Sequence, residues 1–265
     1  MYYLVRYRKQ VVRSNLQKAF PELNTSELLS IEKKFYQHFC DVIVESIKFI
    51  TISPKNLMDR FNILNPGILE SYQSEKKSII LYSGHLGNWE WFPALPLYCK
   101  TKTLALFLPL RNTYFNQLLI GIRQRFGMEL VEAIRAYKAL LNYDAANVNT
   151  FTIFVADQSP HKGADKHWSQ LFNLDTPFNT GINAMALKLK HVVLFPHFRK
   201  TSRGHYEIEL IPIWDGKTDL KENEIIEIFT TKLEAAIRES PHLWLWTHKR
   251  WKLKKENEEI KELKN

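Results

Sequence analysis

Cysteine is scarce in this sequence, and long apolar runs are missing from it. Cys40 and Cys99 are the only two cysteines in 265 residues, so a disulfide framework and a four-thiolate zinc site are both excluded. Two reduced thiols are typical of a protein that faces the cytosol. No apolar run approaches the roughly 18 residues that a membrane span requires. Residues 1–12 show neither the apolar core nor the cleavage site of a signal peptide, so we expect none there.

The composition is that of a globular protein with an excess of positive charge. Hydrophobic residues make up 45% of the chain and charged residues 25%, which excludes an intrinsically disordered or collagen-like chain. Lys and Arg number 37 against 28 Asp and Glu, which gives a formal charge of +9. A basic surface favours polyanions, namely nucleic acid, anionic lipid or an acidic protein, and composition does not choose among them.

Basic side chains alternate with aromatic ones near both ends of the chain. Residues 1–21 carry five cations and no acidic residue, and residues 244–255 combine Lys and Arg with three tryptophans. Both segments suit a membrane interface, and the alternative for both is packing within the domain. Nucleic-acid binding is the weakest interpretation, because no helix-turn-helix, zinc-finger or RNP motif accompanies the charge.

Hydrophobic periodicity predicts a helical segment followed by an α/β region. Steps of three and four predict a helix over residues 25–50, which begins at a capping box formed by Asn24 and Glu27. Short apolar runs then predict buried strands. They cover residues 77–82, 102–109, 129–132, 151–156, 192–199 and 206–213. Helices are predicted between them, over residues 115–126, 136–141, 179–190 and 220–239. This alternation favours a mixed sheet flanked by helices.

The same pattern suggests three parts along the chain. Residues 1–75 form an N-terminal helical, membrane-proximal segment, residues 76–255 an α/β core, and residues 256–265 a helical C-terminal tail. The sequence contains no internal repeat and no low-complexity segment.

Polar clusters follow three of the predicted strands. Residues 83–90 come after the first strand of the core, residues 111–112 after the second, and residues 157–158 after the strand at 151–156. Ligands of open α/β sheets bind at the carboxyl ends of strands, so we expect the three clusters to meet at one edge.

His85 and Glu90 in the first cluster are the residue types of a general base and of the carboxylate that orients it. A carboxylate on the imidazole Nδ1–H fixes the tautomer and leaves Nε2 free to take a proton. Ser83 lacks a G-x-S-x-G elbow and both cysteines lie outside the clusters, which favours direct attack by an external nucleophile. A structural histidine is the alternative. A metal site would need Asp157 as a third ligand, but the spacing matches no zinc signature, and we predict no metal.

The segment GHLGNWEW (84–91) resembles the H-x4-E/D signature of the lysophospholipid acyltransferase superfamily. More specifically, it is similar to the G-H-x-G-N-W-E block of the lipid A lauroyl and myristoyl acyltransferases. Further blocks that resemble this family follow in order along the chain. They are VVRSNLQKAFPEL (11–23), PLRNTYFNQLL (109–119), ADQSP (156–160), LFNLDTPFNTGINAMALK (171–188) and PHLWLWTHKRWK (241–252).

The resemblance implies a glycerolphosphate-acyltransferase-like fold and transfer of a fatty acyl chain from a thioester to a lipid. The donor would be acyl-carrier protein or acyl-CoA, used as a substrate and not as a bound cofactor. Both donors are acidic, as is a phosphorylated lipid acceptor, so the net charge of +9 suits every partner. His85 would be the general base and Glu90 would orient it.

The resemblance also assigns residues that would bind substrate. Arg111 would hold a phosphate, with Asn112 beside it, and a salt bridge at the surface is the alternative for Arg111. Asp157 and Gln158 would close the site, and the alternative for Asp157 is a turn cap. Two smaller roles are expected at other positions. Asn88 would shape the turn, and Thr180 and Gly181 would offer backbone N–H groups to an anion or oxyanion at the start of a helix.

The acceptor implied most directly is a lipid A precursor. Aminoacyl lipids and aryl-polyene pigments are alternative acceptors, and a non-catalytic protein that binds anionic membranes is an alternative of another class. The resemblance implies a peripheral position at the cytoplasmic face of the inner membrane. The family usually carries an apolar membrane helix upstream, so a longer form would carry that helix and residues 2–12 would continue it.

Overall fold

A seven-stranded mixed sheet forms the centre of the computed structural model, which describes residues 2, 5–161 and 163–255. Seven strands form this sheet and two form a separate hairpin. The strands of the sheet are β1 (Phe61–Ile63), β2 (Ile79–Ser83), β3 (Lys102–Phe107), β4 (Glu129–Glu132), β5 (Thr150–Val155), β8 (Val192–Ser202) and β9 (His205–Trp214). The antiparallel hairpin consists of β6 (Lys166–Leu171) and β7 (Leu174–Asn179).

Helices cover the sheet. They are α1 (Lys9–Ala19), α2 (Thr25–Lys48), α3 (Pro54–Met58), α4 (Gly67–Ser74), α5 (Thr113–Gln124), α6 (Ala136–Ala145), α7 (Gly181–Leu189) and α8 (Glu224–Glu239). A 3₁₀ segment, Trp89–Leu97, follows β2. The predicted capping box at the start of α2 is confirmed, because Asn24 accepts from the amide of Glu27 while the Glu27 side chain accepts from that of Asn24.

The strand order is β1-β9-β8-β2-β5-β3-β4. Strands β8, β2, β5, β3 and β4 run parallel, whereas β9 runs antiparallel to β8. All five residues of β2 are buried, as expected for a central parallel strand that helices cover on both faces. The predicted mixed α/β architecture is therefore confirmed, and the parallel strands bring their carboxyl ends to one edge.

Strand β1, the hairpin β6–β7 and the 3₁₀ segment are not among the predicted elements. Strand β1 lies within the segment predicted to be helical, and in the 3₁₀ segment Pro93 and Pro96 lie within nine residues and interrupt α-helical hydrogen bonding. The predicted helical tail, residues 256–265, lies outside the described residues. The proposed division at residues 75 and 255 stays a prediction.

The basic and aromatic ends take part in the core. Trp244 and Trp246 are buried, and Val12 and Leu16 of α1 belong to the same hydrophobic cluster as the sheet. Packing is therefore the correct interpretation for these side chains. Within the described residues, no helix combines the length and the apolar character needed to cross a membrane.

Asn15 joins the two ends of the chain. Its amide, which is buried, donates to the carbonyl oxygens of Trp246 at 2.9 Å and His248 at 2.7 Å. Arg8 donates to the carbonyl of Thr247 at 3.1 Å. The segment 244–248 consequently depends on α1 for its position.

Replacing Asn15 by alanine should destabilise the fold. The substitution leaves two carbonyl oxygens without their donor, and each such buried group costs about 1–3 kcal/mol. We expect the free energy of unfolding in urea to fall by about 2–4 kcal/mol. Asn142→Ala, on the exposed side of α6, should change it by less than about 0.5 kcal/mol. Equal stabilities of the two variants would refute the role given to Asn15.

Candidate active site

The register between β2 and β5 brings His85 and Asp157 together. Ser83 pairs with Val155 at the carboxyl ends of these parallel strands, and the amide of Ala156 donates to the carbonyl of Ser83 at 2.9 Å. His85 and Asp157 each lie two residues beyond the paired positions, so both side chains emerge at the same point of the sheet edge. This part of the predicted convergence is confirmed.

Two glycines allow the turn after β2 to fit its surroundings. A Cβ on Gly84 would lie 3.0 Å from Asp157 Oδ2 and 2.9 Å from Leu233 Cδ1. Gly87 has φ of +60°, and a Cβ there would lie 2.4 Å from Phe198 Cδ1. The first glycine makes room for the carboxylate, and the second adopts a left-handed conformation that other residues rarely take.

Three donors converge on the Asp157 carboxylate, which is only 2% exposed. His85 Nδ1 lies 2.5 Å from Oδ1, while the backbone amide of His85 and Trp244 Nε1 donate to Oδ2 at 2.9 and 2.7 Å. Burial by itself would raise the pKa of Asp157, but the charge of His85 and these hydrogen bonds lower it to about 2. The carboxylate is therefore ionised at neutral pH.

An ionised Asp157 decides which ring nitrogen of His85 carries the proton. Nδ1 must donate to the carboxylate, so Nε2 of the neutral ring is an acceptor. The amide nitrogen of Gln158 lies 3.2 Å from Nε2 and donates to it. His85 thus presents an unprotonated nitrogen, which is the state that a general base needs.

Glu90 is not the carboxylate that orients His85, and the prediction of a direct His85–Glu90 pair is wrong. Glu90 accepts from Trp89 Nε1 at 3.1 Å and faces Arg123 Nη2 at 3.5 Å. The ring of Trp89 packs edge-on against His85, with centroids 5.3 Å apart. The reason is local geometry, because residues 89–97 form a 3₁₀ segment that directs Glu90 toward α5.

A cavity of about 590 Å³ opens in front of His85. Its polar lining includes the side chains of His85, Glu90, Arg123, Gln158, His248 and Lys252. The rest of its wall is mostly apolar and includes Leu106, Leu130, Ile153, Val155, Ile182 and Met185. The arrangement suits a ligand with a polar head and a long apolar chain.

Arg111 and Asn112 do not reach this cavity, contrary to the expectation that all three clusters meet. Asn112 caps α5, since its side chain accepts from the amide of Phe115 at 3.0 Å. Arg111 precedes this cap on an exposed loop and forms no ion pair with the described residues. Leu108 of the same loop lines the cavity, whereas Arg111 and Asn112, further along the chain, do not.

The groups expected from α7 are also engaged elsewhere. The amide of Gly181 donates to Asn179 Oδ1 at 2.8 Å, and that of Thr180 to the carbonyl of Asp165 at 3.4 Å. In this conformation neither amide is free for an oxyanion. Asn88 is buried and donates to Glu45 Oε2 at 2.6 Å, which fits the expected role in shaping the turn and places it outside the cavity.

Trp244, Arg123, His248 and Lys252 belong to the site but were not among its predicted residues. Trp244 binds Asp157, and the other three line the cavity. His248 Nε2 accepts from the amide of Ser159 at 3.2 Å, and burial lowers the pKa of His248 to about 4. The sequence shows the block that contains Trp244 and His248, but it does not show that Trp244 contacts Asp157.

Among the described residues, no group of three or more His, Cys, Asp and Glu side chains is arranged to hold a metal ion.

Residues 1–253 match the family model described as bacterial lipid A biosynthesis acyltransferase. No curated protein matches the chain. The matched range contains both strands of the site, the turn that carries His85, and the segment that supplies Trp244.

The tautomer of His85 should change when Asp157 becomes asparagine. Oδ2 accepts from two donors, so the amide oxygen of the new side chain should take that position and its NH₂ group should face Nδ1. The ring then carries its proton on Nε2. Long-range ¹H–¹⁵N NMR correlation of the histidine rings should show this exchange of protonated nitrogen.

Asp144→Asn is the control, because Asp144 also binds a histidine ring, at Nε2 of His191, with its two oxygens 3.0 and 2.9 Å away. It should shift the His191 signals and leave those of His85 unchanged. An unaltered His85 tautomer in Asp157→Asn would contradict the orienting role of Asp157.

Proposed function

Since this chain belongs to the bacterial lipid A biosynthesis acyltransferase family, we propose that it transfers a fatty acyl chain from an acyl thioester to a hydroxyl of a lipid A precursor. As a member of that family the protein is an acyltransferase. The observation that carries the proposal is the unprotonated Nε2 of the neutral His85 ring. His85 lines the cavity, and its Nδ1–H donates to Asp157.

His85 acts as the general base. Nε2 takes the proton of the acceptor hydroxyl as its oxygen attacks the thioester carbonyl, so that a C–O bond forms. Asp157 stabilises the imidazolium ion. When the C–S bond breaks, the thiolate leaves and takes the proton from Nε2. The atoms balance as ester plus thiol, with no covalent intermediate on the protein.

Gln158 is the nearest candidate to stabilise the negative oxygen of the tetrahedral intermediate. Its amide nitrogen lies 3.2 Å from His85 Nε2, so it is within one hydrogen-bond length of the reacting atoms. The acceptor hydroxyl replaces Gln158 as the hydrogen-bond donor to Nε2, and the released N–H then stabilises the developing negative charge.

Trp89 and Glu90 support the ring of His85 from the other side. Trp89 packs against the imidazole, and Glu90 fixes the indole through its Nε1. We assign Glu90 as a positioning residue, in place of the direct partner that the H-x4-E spacing implied.

The cavity and the net charge suit the proposed substrates. Its apolar wall matches an acyl chain, and its cations match the phosphate of a glycolipid. A net charge of +9 favours an acidic donor, either acyl-carrier protein or acyl-CoA. We place the enzyme peripherally at the cytoplasmic face of the inner membrane, where such an acceptor is found.

Rates of acyl transfer should separate the two carboxylates. His85→Ala and Asp157→Asn should lower kcat by roughly 10²–10⁴-fold, since the first removes the base and the second leaves its Nε2 protonated. Glu90→Gln should lower it by about fivefold or less, because an amide oxygen still accepts from Trp89 and at most one hydrogen bond of about 1 kcal/mol is weakened. The measurement is acceptor-dependent thioester release, with acyl-carrier protein and acyl-CoA as donors.

His205→Ala, a partly buried histidine on the β8–β9 hairpin that does not line the cavity, is the control and should retain full activity. Folding of each variant is checked by circular dichroism. Full activity in a folded His85→Ala would refute the mechanism, and a Glu90→Gln loss as large as that of Asp157→Asn would refute the assignment of Glu90.

Lys252 should contribute to recognition of an acceptor phosphate. It lines the cavity and has no ion pair with the described residues, whereas Arg123 faces Glu90. Lys252→Ala should raise KM about tenfold for a phosphorylated acceptor, since a charge-assisted hydrogen bond contributes about 1.5–3 kcal/mol. It should change KM little for the dephosphorylated lipid. Lys217→Ala, in the turn after β9, is the control. Equal effects on both acceptors would show that Lys252 does not bind phosphate.

A further inference from the structure

Helix α5 is amphipathic, yet it contains no buried residue. It connects β3 to the edge strand β4, a position in which a crossover helix normally packs its apolar face on the sheet. Only Ile122 on α5 and Phe126 just beyond it are packed against the core cluster. The first two turns of the helix therefore leave an apolar face without a partner among the described residues.

The exposed apolar side chains of this region are large and close together. Tyr114, Phe115 and Leu118 are 84%, 63% and 51% exposed. They share one side of the helix, because Leu118 follows Tyr114 by four residues and Phe115 by three. Leu108 and Leu110 are exposed on the loop that precedes the helix. These five side chains form what we call the α5 surface, and contiguous patches of this kind mark interaction sites.

The charged residues of the segment that contains the α5 surface are all basic. Residues 108–128 contain Arg111, Arg123 and Arg125 and no acidic residue. Arg111 projects from the exposed loop and forms no ion pair with the described residues. Segments that lie in the headgroup region of anionic bilayers typically combine apolar and aromatic side chains with arginine.

The α5 surface is continuous with the mouth of the catalytic cavity. Leu108 belongs to both, and Leu106 and Phe107 continue the cavity wall along β3 toward the sheet. A lipid whose chains lie in a bilayer beneath this surface would meet apolar side chains along its whole route to His85. A lipid entering from water would have to expose its chains, at a cost of about 0.8 kcal/mol for each CH₂ group.

We propose that the α5 surface docks on an anionic lipid bilayer and admits the acceptor lipid from the bilayer directly into the cavity. This inference rests on the proposed function for the identity of the acceptor, but docking itself does not require turnover. An acidic acyl-carrier protein and a second copy of the chain are the other possible occupants of the surface, and the experiment below distinguishes them.

The first measurement is partitioning of the full chain onto vesicles by sedimentation, with and without 30 mol% phosphatidylglycerol in phosphatidylcholine. The test variant is Phe115→Ser/Leu118→Ser, which removes apolar contact without adding a charge that anionic lipid would repel. Full burial of either side chain is worth about 1.5–3 kcal/mol, so we expect partitioning onto the anionic vesicles to fall at least tenfold.

The matched control is Leu64→Ser/Val148→Ser. Both residues are exposed. Leu64 follows β1, at the edge of the sheet opposite β4, and Val148 precedes β5 at the amino ends of the parallel strands. This variant should partition as the unchanged chain does. Thermal unfolding of both variants verifies that they are folded. Equal partitioning of test variant and unchanged chain would overturn the proposal. So would a loss confined to acyl-carrier protein binding, or to self-association measured by sedimentation velocity.

The second measurement is the ratio of transfer rates on vesicle-embedded and detergent-dispersed acceptor. We expect this ratio to fall about tenfold in Phe115→Ser/Leu118→Ser, in line with its weaker partitioning. An unchanged ratio would overturn entry from the bilayer. If the unchanged chain partitions through the α5 surface but transfers no acyl group to either form, the proposed function fails and the docking surface stands.

Discussion

The buried negative charge of Asp157 is the constraint on which the rest of the site depends. A carboxylate that is removed from water destabilises a fold unless donors surround it. Here the donors come from two distant parts of the chain, the turn after β2 and the C-terminal segment that holds Trp244. That segment is itself fixed by Asn15 of α1. The fold therefore joins its first helix, its central strands and its last described segment around one side chain.

Much of this architecture could be predicted from the sequence, because local patterns determine it. The helix at Thr25–Lys48 and the central strands follow from hydrophobic spacing, and parallel pairing then places residues 85 and 157 at one edge. The partner of His85 could not be predicted. Glu90 is near in sequence, but the register of β2 against β5 brings Asp157 to Nδ1. Both strands are buried along nearly their whole length, so neither has the alternating pattern that would specify this register.

Arg111 and the tryptophans illustrate a second limit. The sequence shows where cations and aromatic residues cluster, but the role of each side chain depends on whether it is buried. Trp244 and Trp246 are buried in the hydrophobic core, whereas Arg111 is exposed on the loop before α5. Helical periodicity likewise marks α5 as amphipathic without saying whether its apolar face meets a sheet or a bilayer. Only the three-dimensional arrangement shows that Tyr114 and Phe115 face outward.

The position of Trp244 near the end of the chain has a consequence for biosynthesis. A ribosome has made β2, β5 and both members of the His85–Asp157 pair well before it reaches residue 244. Until then Asp157 lacks its indole donor, and the turn after β2 lacks its backbone bonds from Leu245 to His85 and from Gly87 to Leu243. A nascent or prematurely terminated chain thus contains the reactive residues without the scaffold that aligns them. Catalytic competence arises only once the segment with Leu243, Trp244 and Leu245 has been made.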